Sequence, residues 1–132
     1  MNRRTIQTDG APKPIGPYSQ AVAAGGFLYC SGQIPLDPAS GDMVTGDMGV
    51  QTRRVLDNLK AVLASAGAAL SDSVKLTVYL ADMADFQAVN RVFEEYFPQD
   101  PPARAVVQAG ALPKGARLEL DCIAWLPEKG KS

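Results

Sequence analysis

One arginine and one glutamate carry most of the chemistry open to this chain. Arg104 stands in Pro101-Pro102-Ala103-Arg104-Ala105-Val106-Val107, at the mouth of an otherwise apolar strand, and Glu119 follows fifteen residues later. The two prolines stiffen the approach to the arginine. A guanidinium keeps its proton and presents a planar fork suited to one carboxylate or phosphate. A carboxylate can orient a water and accept its proton. The chain has no histidine, and its two cysteines, Cys30 and Cys122, are far apart in sequence. Most familiar acid–base and nucleophilic apparatus is thereby excluded. Chemistry here must use arginine, carboxylates, hydroxyls, backbone groups and water.

The elements that must position these groups follow from pattern. Arg4 to Gln7 reads as a short edge strand, and Thr8 to Pro17, with three prolines and two glycines, as a loop. Tyr18 to Ala24 and Phe27 to Gly32 read as strands joined by a tight turn at Gly25-Gly26. Gln33 to Gly46 is a long connection punctuated by Pro35, Pro38 and Gly41. From Asp47 the period changes: Val50, Val55, Leu59, Val62, Leu63 and Ala66 share one helical face, Gln51, Arg54, Asn58 and Lys60 fall mostly elsewhere, and Gly67 is the stop. Ser73 to Leu80 alternates as a half-buried strand. A second helix begins near Ala81 or Asp82, carries the stripe Phe86, Val89, Val92, Phe93 and Tyr96, and ends at Pro98. Ala105 to Gln108 and Arg117 to Leu126 are the last strands. In the final one Leu118, Leu120, Cys122, Ala124 and Leu126 face one way, and Arg117, Glu119, Asp121, Ile123 and Trp125 the other. The order implies an α+β fold with two helices packed on one face of a mixed β-sheet. The other face, with Tyr79, Ile123 and Trp125 beside charges, suits a subunit contact.

At 132 residues the chain fits one domain, 1–132, by length. Its net charge of −1 and interspersed signs provide no basic stripe, so nucleic acid is an unlikely partner. The residues Met1 to Thr5 lack the apolar run of a signal peptide, and no stretch approaches membrane-spanning length. These features point to a cytoplasmic protein whose cysteines are reduced packing thiols, able to pair only by accident of the fold.

Several phrases, in order, resemble one family across residues 5 to 126. They are Ile15-Gly16-Pro17-Tyr18-Ser19-Gln20, Cys30-Ser31-Gly32-Gln33-Ile34-Pro35, Gln51-Thr52-Arg53-Arg54-Val55-Leu56-Asp57-Asn58-Leu59, Pro102-Ala103-Arg104, and Leu112-Pro113-Lys114-Gly115-Ala116-Arg117-Leu118-Glu119. The sequence is similar to the RidA/YjgF family of reactive-intermediate deaminases, also called L-PSP endoribonuclease-like proteins. The resemblance implies a chorismate-mutase-like, YjgF-like fold assembled as a homotrimer with ligand sites in inter-subunit clefts. It implies hydrolysis of 2-imino or enamine acids, such as 2-iminobutanoate and 2-iminopropanoate, to 2-oxo acids and ammonia, without cofactor or metal. Carried over, Arg104 is the carboxylate anchor and Glu119 the residue beside the attacking water. Tyr18, Ser31 and Asn90 line the cleft, while Gly32 and Val106 offer backbone groups. Many members have cysteine where Val106 stands, so a thiol mechanism at that position is closed to this chain.

The chemistry suits the residues. An imine conjugated to a carboxylate is already electrophilic, so an anchor and a positioned water suffice. Two readings compete: a 2-oxo-acid-binding regulatory module that uses the same arginine without turnover, and an endoribonuclease. The latter needs a basic groove and an acid–base pair that net −1 without histidine supplies poorly. A holdase activity has no residue signature.

Overall fold

The Gly25-Gly26 pair sets the first hairpin. Both glycines have positive φ, 60° and 86°, the pairing that a two-residue turn with the right twist demands. It joins β2 (Ala21–Ala24) to β3 (Phe27–Gln33), with Ala24 opposite Phe27. The computed structural model describes residues 2–127, so the extreme ends of the expected 1–132 domain lie outside the described residues. Around the hairpin are β1 (Arg4–Ile6), α1 (Met48–Ser65), β4 (Ser73–Leu80), α2 (Phe86–Tyr96), β5 (Ala103–Gln108) and β6 (Leu118–Trp125). The six strands form one sheet in the order β1-β2-β3-β6-β4-β5. Every neighbouring pair is antiparallel except β4 and β5, which are parallel because α2 carries the chain back between them.

Both helices cover one face. Leu28, Cys30, Leu76, Val78, Leu80, Leu118, Leu120, Cys122 and Ala124 meet Val55, Leu56, Leu59, Val62 and Leu63 of α1 and Val89, Val92 and Phe93 of α2 in a single core. The strict alternation of β4 and β6 produces this, since a strand buried on one face places every second residue inward. The opposite face carries Tyr29 and Trp125, 47% and 51% exposed, with Phe27 and Val107 also open. Among the described residues no helix is long and apolar enough to cross a membrane.

Two local expectations are corrected. On α1, Val50 is exposed, whereas Gln51 and Asn58 are buried. The reason is backbone demand from the long connection: Gln51 Nε2 donates to Gly46 O at 3.0 Å, and Asn58 Nδ2 donates to Leu36 O at 2.9 Å. Buried amide N–H groups that meet main-chain carbonyls are stable where unpaired ones are not, although Asn58 Oδ1 stays buried without a partner among the described residues. Strand β2 begins at Ala21 rather than Tyr18, because Gln20 turns inward. Its buried amide accepts from Thr8 N at 2.7 Å and donates toward Thr8 O, Ala11 O and Pro12 O at 3.1, 3.4 and 2.9 Å, fastening the proline-rich loop.

Candidate functional site

The sequence-predicted residues fall into two groups. Tyr18, Ser31, Gly32 and Glu119 line a cavity of ≈ 320 Å³, together with Lys13, Ile15, Ile34, Leu36 and Pro113. Glu119 lies on the face of β6 away from the helices, since its neighbours Leu118 and Leu120 are buried in the core. It rests directly over Gly32: a Cβ there would overlap the carboxylate, standing 2.8 Å from Glu119 Cδ and 3.1 Å from Cγ. Only glycine leaves the space that this carboxylate fills. Burial pushes the Glu119 carboxyl above its usual range, and the negative charge of Asp121 on the same face adds to the rise. Asp121 itself accepts from Tyr79 Oη at 3.1 Å, which adds to burial in pushing the tyrosine up.

Ser31 contributes less freely than its hydroxyl suggests. Its Oγ donates to Ser19 O at 2.6 Å and its N–H donates to Gln20 O at 2.9 Å, so it ties β3 to the loop. Only its acceptor lone pairs remain for a ligand. Tyr18 is exposed at the rim, with its Oη 3.4 Å from Ile15 N.

Arg104 belongs to the second group. It sits inside β5 rather than at its mouth, and its guanidinium carbon lies 5.5 Å from the Phe86 ring centre and 5.3 Å from that of Phe93. Nη1 donates to Asn90 Oδ1 at 2.7 Å. Phe86, Asn90 and Phe93 are spaced to share one face of α2, and they hold the fork by cation–π attraction and one charge-assisted bond. Arg53 and Arg117 are engaged with Glu95 and Asp85, whereas Arg104 makes no ion pair among the described residues. Arg104 borders two shallow depressions, one lined by Met83, Phe86, Gln87 and Val106 and the other by Asn90, Phe93, Pro101 and Pro102. Val106 brings backbone on an edge strand whose outer side carries no neighbour in the sheet among the described residues.

Arg104 and Glu119 are not brought together within the chain. Arg104 lies on the helix-covered face at the edge of the sheet, and Glu119 on the open face with β4 between their strands. Two strand spacings alone amount to about 10 Å, more than a three- or four-carbon acid can bridge, and the sheet intervenes. Neither Glu119 nor Asp121 pairs with the arginine. Sequence reading missed the aromatic clamp of Phe86 and Phe93, although an asparagine set between two aromatics at helical spacing was the available signal. It also missed Gln20 and Lys13. Among the described residues no group of three or more His, Cys, Asp or Glu side chains is placed to hold a metal ion.

Comparison with known proteins adds three findings. The protein-family model described as Endoribonuclease L-PSP matches residues 8–126. A RutC family protein of Pyrococcus horikoshii is 52% identical over 93% of this chain and 98% of its own length, and the 2-iminobutanoate/2-iminopropanoate deaminase of Homo sapiens is 46% identical over 92% of this chain and 89% of its own. The crystal structure of E. coli TdcF with bound serine superposes with a TM-score of 0.88 at 38% identity, covering 92% of this chain and 98% of that one.

Proposed function

The chain belongs to the RidA/YjgF family, that of the L-PSP endoribonuclease model, and from that premise we propose that it hydrolyses 2-imino and enamine acids to 2-oxo acids and ammonia. The observation that carries the proposal is the split arrangement itself. A clamped arginine at a sheet edge and a half-buried carboxylate on the opposite face form two complementary half-sites. Joined in a ring of three identical chains, Arg104 of one subunit meets the Glu119 cavity of the next. The exposed Tyr29, Trp125 and Phe27 supply apolar surface for such a contact.

In the joined cleft the substrate carboxylate takes the guanidinium N–H groups not used by Asn90. This fixes the adjacent imine carbon, the entropic part of the acceleration. Glu119 orients a water and accepts its proton as the oxygen bonds to that carbon. A carboxyl raised toward neutrality is a better base than one at its ordinary value. With the imine protonated on nitrogen, addition gives a neutral carbinolamine; Glu119 returns its proton to that nitrogen, then takes the hydroxyl proton as C=O forms and the C–N bond breaks, releasing ammonia and the 2-oxo acid. Backbone groups at Gly32 and Val106 and the rim residues Tyr18 and Ser31 line the substrate.

Subunit complementation tests this. Arg104→Ala and Glu119→Gln homomers are each inactive. Mixed in equal amounts under exchange, they restore about a quarter of wild-type activity, because in a closed head-to-tail ring each cleft draws one half-site from each neighbour at random. No restoration in verified mixed oligomers refutes the shared cleft. A second reading, capture of small carboxylates without turnover, is favoured by the serine bound to E. coli TdcF. Calorimetric binding of 2-oxobutyrate with no imine hydrolysis distinguishes it.

A further inference from the structure

Neither half-site uses Cys30 and Cys122. They are opposed in register across β3 and β6, both buried and neither in a disulfide. Their side chains project into the helix-covered core, with Cys30 keeping 7% exposure. We propose that this pair is a reversible oxidation site, closed to a cross-strand disulfide by a small neutral peroxide, and that closure displaces Gly32 and Glu119; the effect on turnover rests on the imine-hydrolysis reading above.

The backbone geometry permits the bond and makes it strained. Leu126 N donates to Gly26 O, which flanks the Phe27–Trp125 pair, so that pair is not itself hydrogen-bonded. Pairs alternate along the ladder, and Cys30–Cys122 is therefore one that exchanges both backbone bonds, with facing Cα atoms about 5.5 Å apart. That lies within the roughly 4.4–6.8 Å that disulfides span. Facing Cβ atoms stand about 4.5–5.5 Å apart, toward the wide end in a hydrogen-bonded pair, whereas a disulfide prefers about 3.8 Å, so closure draws the strands together by about 1–2 Å.

Strand β3 is the side able to give. Its register with β6 breaks between Cys30 and Gln33, leaving Ser31 and Gly32 outside the ladder. These are residues that line the cavity. Movement there reaches Gly32, which has no clearance beneath the Glu119 carboxylate.

The thiols are unequal. Cys122 Sγ has a hydroxyl partner in Ser73 Oγ at 3.5 Å, and the neighbouring Cys30 thiol and Ser73 hold it below the usual thiol range against the opposing effect of burial. The Cys122 thiol, with burial, pushes Cys30 up. Cys122 sulfur attacks the peroxide: an S–O bond forms, the O–O bond breaks, and the departing hydroxide takes the thiol proton as water. Cys30 sulfur then attacks the sulfenic sulfur, forming S–S and expelling hydroxide, which leaves with the Cys30 proton as a second water. Two thiols are oxidised and one peroxide is reduced. Strain in the product raises its potential and keeps it reducible.

The test treats the full chain with hydrogen peroxide, alkylates it under denaturing conditions, and maps peptides by mass. The expected result is a linked peptide pair lighter by two hydrogens, with neither cysteine alkylated. Imine hydrolysis falls on the order of 10²-fold, as for a catalytic group displaced by about 1 Å, and dithiothreitol restores it. Cys30→Ala and Cys122→Ala proteins do not form the link and keep their activity. Two alkylated thiols after treatment overturn the site. A mapped disulfide with unchanged turnover and an unchanged Glu119 carboxyl resonance overturns its coupling to the cleft. Absence of hydrolysis in untreated protein counts against the functional reading alone, since mapping still reads the disulfide and the Glu119 carboxyl resonance, followed by NMR, still reads its displacement.

Discussion

Replacing Gly32 with alanine adds one methyl group where the Glu119 carboxylate lies. The new Cβ would stand 2.8 Å from Cδ and 3.1 Å from Cγ, against the 3.4–4 Å of ordinary contact. The carboxylate must retreat by about 1 Å, and such a misplacement of a catalytic group costs on the order of 10²-fold. That corresponds to about 2.7 kcal/mol of transition-state stabilisation. Gly32 does not have positive φ, so alanine brings no backbone strain, and the flexible glutamate end can swing into the cavity. The fold should survive with its melting temperature little changed. The assay follows decay of 2-iminopropanoate generated in situ by an amino-acid oxidase, with binding of 2-oxobutyrate measured separately. Gly32→Ala should lower kcat about a hundredfold while the affinity, set by Arg104, changes little. In a Glu119→Gln background the same substitution should have no further effect. Full activity in a well-folded Gly32→Ala protein, or an equal additional loss in the double variant, would refute the idea that the methyl acts through the carboxylate.

Two further outcomes follow from the same geometry. Asn90→Ala removes a bond to a charged group, worth about 1.5–3 kcal/mol, and Phe86→Leu removes a cation–π contact worth about 0.5–1 kcal/mol at an exposed site; both should raise KM for imino acids with kcat nearly unchanged, and neither should weaken binding further in an Arg104→Ala protein. Glu119 is raised in the folded chain, so the folded state holds that proton more tightly than the unfolded one, and the stability this gives is present below the unfolded value of 4.5 and lost as pH climbs through the folded value. Glu119→Gln should accordingly melt higher than wild type at pH 7, with the gap narrowing as pH falls toward 4.5; a gap that widens on acidification contradicts the assigned direction.

Much of the architecture was legible because β4 and β6 alternate without interruption, and period-two patterning reports directly which side is buried. The same parity placed Glu119 on the outer face. Strand β5 gave no such report: Ala103 to Gln108 is nearly apolar throughout and only partly buried, so nothing in its pattern showed toward which face Arg104 points. The fifteen residues between arginine and glutamate were equally silent, since separation along the chain says nothing about which side of a sheet each occupies. Gln51 and Asn58 were misplaced for another reason. A polar residue reads as solvent-facing unless its partner is known, and their partners are carbonyls in a connection without regular pattern. Gln20 escaped notice in the same way.

The grip of Gln20 has an implication for how this scaffold can diversify. It holds only main-chain atoms of Thr8, Ala11 and Pro12, so it is indifferent to which side chains those positions display. Immediately downstream, Lys13 and Ile15 project into the cavity from a segment already anchored. Substitutions there retune the chamber's polarity and width while the fastening stays intact. A library confined to these two sites is the economical place to seek altered substrate preference.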